Sequence, residues 1–391
     1  MRVTHVITRL VVGGAQENTV ATVLGLRDQP DVEVDLISGP TTGPEGSLEP
    51  AFAHCPEVRT ILPALVRPVH PWKDMVALIQ LGRLLRARRP DVVHTHSGKA
   101  GVLGRLAARR AGVPVIVHHI HGPSFGPFQG PVANWLFTAA ERWAAPATTH
   151  FVCSANAMTR LYLAKGIGRP EMYTRVFSGF QVGPFLSAEN DRAMRSRLGF
   201  AVDAFVIGKI ARLAPLKGHE DLFGALHALL PQWPSARLLV IGDGPLRARL
   251  EKRGREMGLS DKIVFAGLLP PGEVSRYVGI MDCLAHLSSR EALSRALPQA
   301  LAAGKPVVAY DFDGADEVCL EGQTGFLVRT GEVQTVAARL LQLAKDPALR
   351  KRLGLRGQEF VQDQFRVERM VEELYQLYVR LLQECTSKPA S

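Results

Sequence analysis

Short apolar runs alternate with longer amphipathic stretches twice along the chain, and this alternation limits the possible folds more than any other feature. Each run is short enough for a buried strand, and a stretch with helical spacing of apolar residues follows it. Such an alternation is typical of a parallel sheet covered by helices. The predicted strands are residues 3–10, 32–37, 92–96, 113–119 and 150–153, and then 205–210, 238–241, 263–265, 283–287 and 307–310. The predicted helices are residues 16–26, 72–89, 99–111, 132–145, 155–165, 219–230, 245–257, 272–278 and 293–303.

A polar segment, residues 178–204, separates the two series, and we expect no strand within it. We therefore predict an α/β protein of two doubly wound, Rossmann-like domains, residues 1–182 and 183–365, followed by a C-terminal helix and tail, residues 366–391. Ligands of such sheets bind beyond the carboxyl ends of the strands. A chain with two such domains is expected to hold its ligand in a cleft between them.

Composition narrows the setting in which the protein works. The five cysteines lie far apart and include no CxxC pair, which fits a reducing cytoplasm better than a disulfide framework or a zinc finger. No apolar window is long enough to cross a bilayer, so we expect no transmembrane helix. We interpret the N-terminus as a first strand rather than as a signal peptide.

The net charge of +10 is concentrated in one stretch of the sequence. Residues 81–110 contain eight lysines and arginines against a single acid, Asp91. Such a cluster favours a partner that carries phosphate, which could be nucleic acid, anionic lipid or a phosphorylated substrate, or else it is a solvated basic face. Because the cluster lacks interleaved aromatic residues and a recognition motif, we do not expect nucleic acid.

Two features of the first series lie where strands end. The pair Gly13 and Gly14 lets backbone N–H groups approach a phosphate, although it also fits a simple tight turn and lacks the GxGxxG spacing of dinucleotide sites. Histidines form the patterns HTH at 94–96 and HHIH at 118–121. Since no carboxylate or cysteine accompanies them at metal-ligand spacing, we expect them to line a substrate pocket, with His118 in a structural role.

Charged side chains also follow strand ends in the second series. Arg212 and Lys217 lie between a strand and a helix, where two cations and helix N–H groups suit a diphosphate, or else they are ordinary surface cations. Farther along, a turn presents Glu291 and the next helix carries Gln299, so that two parts of one ligand could be hydrogen-bonded. We interpret the DFD at 311–313 as a loop, because its spacing guarantees no convergent set of metal ligands.

Together these pieces resemble the family-4 retaining glycosyltransferases of GT-B architecture, and the resemblance covers nearly the whole chain. The pieces occur in the family's order: GGAQE, HTHSGKAG, IHG, SGFQVGPF, ARLAPLKG, GDGP, the Glu-x7-Gln segment with AAGKPVVA, and EGQTGFLV. Each is weak alone, and eight in order are specific. Their form is similar to transferases that build bacterial capsule or exopolysaccharide units on a lipid carrier. The resemblance implies a C-terminal helix that crosses back to the first domain.

The resemblance also implies roles for individual residues. The loop at Gly13 and Gly14 would approach the donor diphosphate, and His121 would contact the donor sugar. Arg212 and Lys217 would neutralise the diphosphate leaving group. The other donor-binding residues would be Gly242, Glu291 on the sugar, Leu293, Ser294 and Arg295 near sugar and phosphate, and Gln299 on the ribose hydroxyls. The catalytic set would be His121, Arg212, Lys217 and Glu291, with no metal and no other cofactor.

The implied reaction moves a sugar, with retention, from a UDP-sugar or GDP-sugar to a glycan or lipid-linked acceptor in bacterial cell-surface polysaccharide synthesis. Three positions depart from the family's pattern: Gln299 replaces a Glu, Ala292 replaces a Gly, and Ser178 replaces an Asn. Two alternatives stay open. One is a GT-B-like nucleotide-sugar 2-epimerase, and the other is a non-catalytic sugar-nucleotide-binding subunit, which Gln299 suggests.

The predicted helix at residues 72–89 carries apolar residues on one face and arginines at its C-terminal end. Unpaired arginine is rarely buried, and each cation near an anionic leaflet contributes about 1 kcal/mol to membrane binding. We therefore expect peripheral, salt-sensitive attachment to the cytoplasmic face of the cell membrane. The residues expected to meet the membrane or the acceptor are Arg83, Arg86, Arg88, Arg89 and Lys99.

Overall fold

The computed structural model describes residues 1–43, 46–126 and 128–387, and the chain divides into two compact units. The first unit consists of residues 1–180 together with the helix that begins at Val367, and the second consists of residues 181–366. Each unit contains one parallel sheet covered by helices. The prediction of two Rossmann-like domains is confirmed.

The first unit has seven short strands, and a helix follows most of them. Its elements are β1 (Arg2–Ile7), α1 (Gly14–Arg27), β2 (Glu33–Ser38), β3 (Arg59–Ile61), α2 (Pro71–Arg88), β4 (Val92–His96), α3 (Gly98–Ala111), β5 (Val115–Ile120), α4 (Pro131–Ala144), β6 (His150–Cys153), α5 (Asn156–Ala164) and β7 (Tyr173–Arg175).

The second unit begins with two short helices and then repeats the alternation with six strands. Its elements are α6 (Gly183–Leu186), α7 (Arg192–Arg197), β8 (Phe205–Ile210), α8 (His219–Leu229), β9 (Ala236–Ile241), α9 (Arg247–Glu256), β10 (Ile263–Gly267), α10 (Val274–Gly279), β11 (Cys283–His286), α11 (Ala296–Ala302), β12 (Val307–Tyr310), β13 (Gly325–Val328), α12 (Val333–Lys345) and α13 (Pro347–Val361). The last helix, α14 (Val367–Thr386), belongs to the first unit.

Both sheets reverse their strand order once. The order is β3-β2-β1-β4-β5-β6-β7 in the first unit and β10-β9-β8-β11-β12-β13 in the second, and every pair is parallel. The switch points therefore lie between β1 and β4 and between β8 and β11. In open sheets of this kind ligands bind outside the carboxyl ends of the strands at the switch point.

Side chains that alternate along the strands of the first sheet form a core on each of its faces. Val3 and Ile7 of β1 pack in one core with α1 and α14, whereas Val6 packs in the other with α2 and α3. Helix α14 packs directly on α1. The two helices are so close that a Cβ at Gly25 would lie 2.5 Å from the side chain of Val371. The C-terminal helix thus closes one face of the first sheet, as the resemblance implied; residues 388–391 of the expected tail lie outside the described residues.

The sequence patterns did not predict the strands β3, β7 and β13 or the helices α6, α7, α12 and α13. Strands β3 and β7 have three residues each, too few for a period-2 pattern. One prediction beside the candidate site was wrong: α11 begins at Ala296 and not at residue 293, so residues 293–295 belong to the loop that precedes the helix.

Candidate functional site

The loops after β8 and β11 meet at the switch point of the second unit. The backbone N–H of Ser289 donates to the carbonyl oxygen of Leu216 at 2.9 Å. This bond ties residues 287–295 to residues 211–218, the two segments that carry most of the charged residues expected to bind the donor. Those residues are therefore gathered at the carboxyl edge of one sheet.

Lys217 and Glu291 form an ion pair at this edge. The Lys217 ammonium donates to Glu291 Oε1 and also to the carbonyl oxygen of Arg290, the latter at 3.2 Å. The side chains are 19% and 30% exposed, so both remain accessible to a ligand. The pair places one cation and one carboxylate side by side, which suits a ligand that has both phosphate oxygens and hydroxyl groups.

Asp313 anchors the loop that carries Glu291. The backbone N–H of Glu291 donates to Asp313 Oδ2 at 2.7 Å, and Asp313 itself adopts a left-handed conformation with φ of 52°. Burial raises the pKa of Asp313 to about 6, although the bond from Glu291 acts in the opposite direction. Within the described residues, Asp313 is a loop anchor, which agrees with the interpretation of the DFD pattern as a loop.

The turn after β9 supports the loop that carries Arg212. Gly242 has φ of 127°, and a Cβ at this position would lie 2.1 Å from the carbonyl oxygen of Ala211. The N–H of Leu213 donates to the carbonyl oxygen of Asp243 at 2.9 Å. Arg212 is exposed beside this contact. Gly242 therefore acts by allowing two loops to touch, a role that the sequence alone did not indicate.

Residues Leu293, Ser294 and Arg295 lie in the loop between Glu291 and α11, and Gln299 lies in the middle of that helix. The N–H of Gln299 donates to the carbonyl oxygen of Arg295 at 3.1 Å, so the residue is held in the helical backbone while its side chain stays half-buried. All the residues expected to bind the donor in this unit thus follow β8, β9 or β11.

Lys209 is a residue near this site that the sequence analysis missed. It occupies the next-to-last position of β8 and is fully buried, and its ammonium has no hydrogen-bond partner among the described residues. Burial lowers the pKa of Lys209 to about 7; the charge of Lys217 acts in the same direction, and Glu291 opposes it. A third basic group therefore lies behind the ion pair, with a pKa near neutrality.

Five histidines meet inside the first unit near its own switch point, and we call them the histidine cluster: His5, His94, His96, His119 and His121. His96 joins two of the others, since its Nε2 lies 2.9 Å from His5 Nδ1 and its Nδ1 lies 2.9 Å from His121 Nε2. Burial lowers the pKa of each of the five rings, so they are neutral at pH 7.

The chain of imidazoles couples the protonation of its members. A neutral ring has one donor and one acceptor nitrogen, so the two bonds of His96 require His5, His96 and His121 to share one tautomer. The nitrogens of His5, His94 and His96, and those of His96, His119 and His121, also lie within 4.8 Å of one another, and either group could ligate a transition metal. His118 stays apart, buried with its Nδ1 2.9 Å from Thr95 Oγ1.

The carboxyl edge of the first sheet also carries the glycine pair and Lys99. Gly13 precedes α1, Gly14 begins it, and Ser97, between β4 and α3, has φ of 67°. Strain of this kind in a residue other than glycine is common beside ligand sites. The Lys99 ammonium donates to Asp74, so its charge is paired.

The arginines of α2 do not join this edge. Arg2, which begins β1, donates to the carbonyl oxygen of Arg88 at 3.1 Å, so the C-terminal end of α2 lies at the amino edge of the sheet. Arg88 is also paired with Asp35 at 2.9 Å, whereas Arg83, Arg86 and Arg89 are exposed. Lys99 pairs with Asp74 in the first turn of α2, and at 1.5 Å per residue Arg83 and Arg86 lie about 14 and 18 Å farther along the helix, so the structure separates these arginines from Lys99.

Comparisons with known proteins agree with this architecture. Residues 13–176 match the model of the glycosyl transferase 4-like domain, and residues 190–360 match that of the glycosyl transferases group 1. A GDP-mannose-dependent alpha-(1-6)-phosphatidylinositol monomannoside mannosyltransferase of Mycolicibacterium smegmatis is 30% identical, over 70% of this chain and 72% of its own. The UDP-Gal:alpha-D-GlcNAc-diphosphoundecaprenol alpha-1,3-galactosyltransferase of Escherichia coli is 25% identical, over 82% and 83%.

A solved structure shares the fold along nearly the full length of the chain. The crystal structure of Anabaena Alr3699/HepE in complex with UDP-glucose superposes with a TM-score of 0.79 at 21% identity, covering 97% of this chain and 100% of that chain. The protein is thus of the GT-B class. It belongs to the family-4 glycosyltransferases, and its activity is the transfer of a glycosyl group.

Proposed function

We propose that the protein transfers a sugar from a UDP-sugar to a lipid-linked or glycan acceptor, with retention, in the synthesis of a bacterial cell-surface polysaccharide. The ion pair of Lys217 and Glu291 at the switch point of the second unit carries this proposal, because it presents a cation for a diphosphate next to a carboxylate for sugar hydroxyls. The diphosphoundecaprenol acceptor of the Escherichia coli relative and the UDP-glucose of the Anabaena structure support the choice of substrates.

In the proposed reaction the bond between the anomeric carbon and the diphosphate oxygen breaks, and a bond from that carbon to the acceptor oxygen forms on the same face. The acceptor proton passes to the departing diphosphate oxygen. Arg212 and Lys217 stabilise the charge that develops there, and fixed charges of this kind act strongly because they need no reorganisation. Glu291 and Gln299 hold the sugar and the ribose, and His121 contacts the transferred sugar. We propose that the reaction needs no metal.

The first test is nucleotide binding measured by thermal unfolding. A ligand that binds only the folded state stabilises it by about 2.7 kcal/mol at 100 times its Kd. We expect UDP to raise the Tm more than GDP does, and Lys217→Ala to abolish the rise. Lys262→Ala is the matched control, because Lys262 pairs with Asp261 at the start of β10, the opposite edge of the same sheet. Equal shifts in both variants would remove Lys217 from the donor site.

The second test separates transfer from the alternatives. UDP-sugars are incubated with and without a polyprenyl-diphosphate-linked sugar. We expect a UDP-sugar to be consumed, and a glycosylated lipid to form, when the lipid is present, and the UDP-sugar to stay unchanged when it is absent. Epimerisation of the UDP-sugar in its absence would favour the epimerase instead, and binding without turnover would favour the non-catalytic subunit.

We propose that the protein works as a peripheral protein on the cytoplasmic face of the membrane that holds its acceptor. None of the helices in the described ranges is long and apolar enough to cross a membrane. The exposed Arg83, Arg86 and Arg89 would supply part of the attraction to anionic lipid, and Arg88 less, because Asp35 already pairs with it.

A further inference from the structure

Helix α4 carries its apolar side chains on the outside. Its buried residues, Thr138, Glu141 and Ala144, are spaced three apart and are mostly polar. The exposed side chains are Val132, Trp135, Leu136, Phe137 and Trp143, of which Trp135 is 68% exposed and Trp143 62% exposed. A helix on the surface of a soluble domain normally has the reverse arrangement.

The inward polar side chains of α4 are all used within the first unit. Glu141 forms an ion pair at 2.6 Å with Arg105 of α3, and both side chains are buried. Asn134 accepts a hydrogen bond from the N–H of Gly126 at 2.8 Å, and the Thr138 hydroxyl donates to the carbonyl oxygen of Asn134 at 2.7 Å. The polar face fixes the orientation of the helix, so the apolar face has to point outward.

Helix α2 adds a second exposed apolar strip. Trp72, Met75 and Ile79 lie three and four residues apart on its outer face, and each is about half exposed or more. Because α2 packs on α3, and α3 packs on α4, the three helices form one layer. Trp72, Trp135 and Trp143 are three of the four tryptophans in the chain. Tryptophan with aliphatic side chains on an exposed helix face is typical of proteins that lie in the membrane interface.

The charge of this layer matches an anionic surface. Helices α2, α3 and α4 contain nine lysines and arginines and only two acids, Asp74 and Glu141. Both acids form ion pairs, Asp74 with Lys99 and Glu141 with Arg105. Among the described residues, no carboxylate pairs with the following six cations: Lys73, Arg83, Arg86, Arg109, Arg110 and Arg142.

We propose that the outer face of α4, together with the exposed strip of α2, enters the interfacial region of an anionic lipid bilayer. The proposal deepens the proposed function, because it names the surface on which a lipid-linked acceptor would be presented. Helix α4 connects the carboxyl end of β5 to the start of the parallel strand β6, so the N-terminal part of the face lies on the side of the carboxyl edge of the first sheet. The inserted surfaces are the outer face of α4 and the exposed strip of α2, whereas the arginines at the far end of α2 contribute only long-range attraction.

Vesicle sedimentation tests the proposal on the full chain. We expect the wild type to bind vesicles of phosphatidylcholine with phosphatidylglycerol, to bind phosphatidylcholine alone weakly, and to dissociate at high salt. The double variant Trp135→Ser with Leu136→Ser should bind at least about tenfold more weakly, since two exposed apolar side chains are lost. The matched control is Val202→Ser with Leu355→Ser, which removes two exposed apolar side chains from the second unit and should bind as the wild type does.

Three results would overturn the proposal: no binding of the wild type to the anionic vesicles at low salt, equal binding by the Trp135→Ser, Leu136→Ser variant, or a wild-type dimer in sedimentation velocity that this variant loses. The last result would make the face a contact between two copies. Stabilisation by UDP is measured on the same preparations and should be equal in all of them. If the Trp135→Ser, Leu136→Ser variant loses vesicle binding but is still stabilised by UDP, the loss is due to the membrane face and not to the transferase site.

Discussion

Replacing the buried Lys209 by methionine should stabilise the second unit, by an amount that depends on pH. The folded environment lowers the pKa of Lys209 from 10.5 to about 7. At about 1.4 kcal/mol per pKa unit, the protonated side chain costs the folded state up to about 5 kcal/mol below pH 7. Methionine has a similar length and no charge, so the Lys209→Met variant should avoid this cost.

The sign of the pH dependence follows from proton binding. Between pH 7 and pH 10.5 the unfolded chain holds a proton on Lys209 that the folded chain has released, so the wild type gains stability as the pH rises. The free-energy advantage of Lys209→Met should therefore be greatest at or below pH 7 and should fall by about 1.4 kcal/mol per pH unit above it.

Urea unfolding measures this difference at several pH values. It is followed by tryptophan fluorescence in a background in which Trp72, Trp135 and Trp143 are replaced by phenylalanine, so that the signal comes from Trp233 in the second unit. Lys252→Met is the matched control, because it makes the same substitution at an exposed lysine of α9 outside the loops of the site. A constant difference between Lys209→Met and the wild type from pH 6 to pH 9 would refute the reasoning, since it would mean that Lys209 keeps one protonation state throughout that range.

The other predictions concern catalysis, metal and the buried ion pair. Lys217→Ala should lower kcat/KM by the equivalent of about 2–4 kcal/mol, as the loss of one fixed charge on the leaving group would, and an unchanged kcat/KM would exclude that role. Steady-state activity should survive EDTA, and full loss with recovery in Mn²⁺ or Mg²⁺ would show that the reaction needs a metal. Arg105→Met should cost about 3–5 kcal/mol in urea unfolding because Glu141 stays buried without its partner, and adding Glu141→Met should restore part of the loss; a double variant no more stable than the single one would contradict this account.

The parts of the fold that the sequence predicted are those in which one local pattern decides the outcome. Strands β4 and β12 were predicted with their observed ends, and both are fully buried. Strand β12 is a short apolar run, VVAY, whereas β4 begins with two valines and ends in the HTH pattern just before a helix. Strand β3 has only three residues, and its place is set by pairing with β2 rather than by its own pattern. The start of α11 was misplaced because the helical pattern continues backward through residues 293–295, which the turn after Glu291 keeps out of the helix.

The residues of the candidate site also fall into those that a local pattern predicts and those that only the fold brings together. Arg212, Lys217 and Glu291 could be chosen because they follow strand ends within short motifs, and parallel strands bring such loops to one edge. His5 could not be chosen, because its contact with His96 joins positions 91 residues apart and depends on the adjacent placement of β1 and β4. Nor could the pairing of Arg88 with Asp35 be predicted, although that contact reduces the unpaired positive charge at the end of α2.

Two further features that the sequence did not indicate, the outward apolar face of α4 and the buried Lys209, have one physical origin. A hydrophobicity pattern assigns polar positions to water, but Glu141 and Lys209 are both buried. Glu141 is buried because Arg105 pairs with it, and this pairing turns the apolar side of α4 outward. Lys209 is buried without a partner among the described residues, so the protein lowers its pKa instead. In each case a polar group inside the fold, which costs stability or needs a specific partner, lies beside a surface for which we propose a ligand: a bilayer beside α4, and a diphosphate beside Lys217.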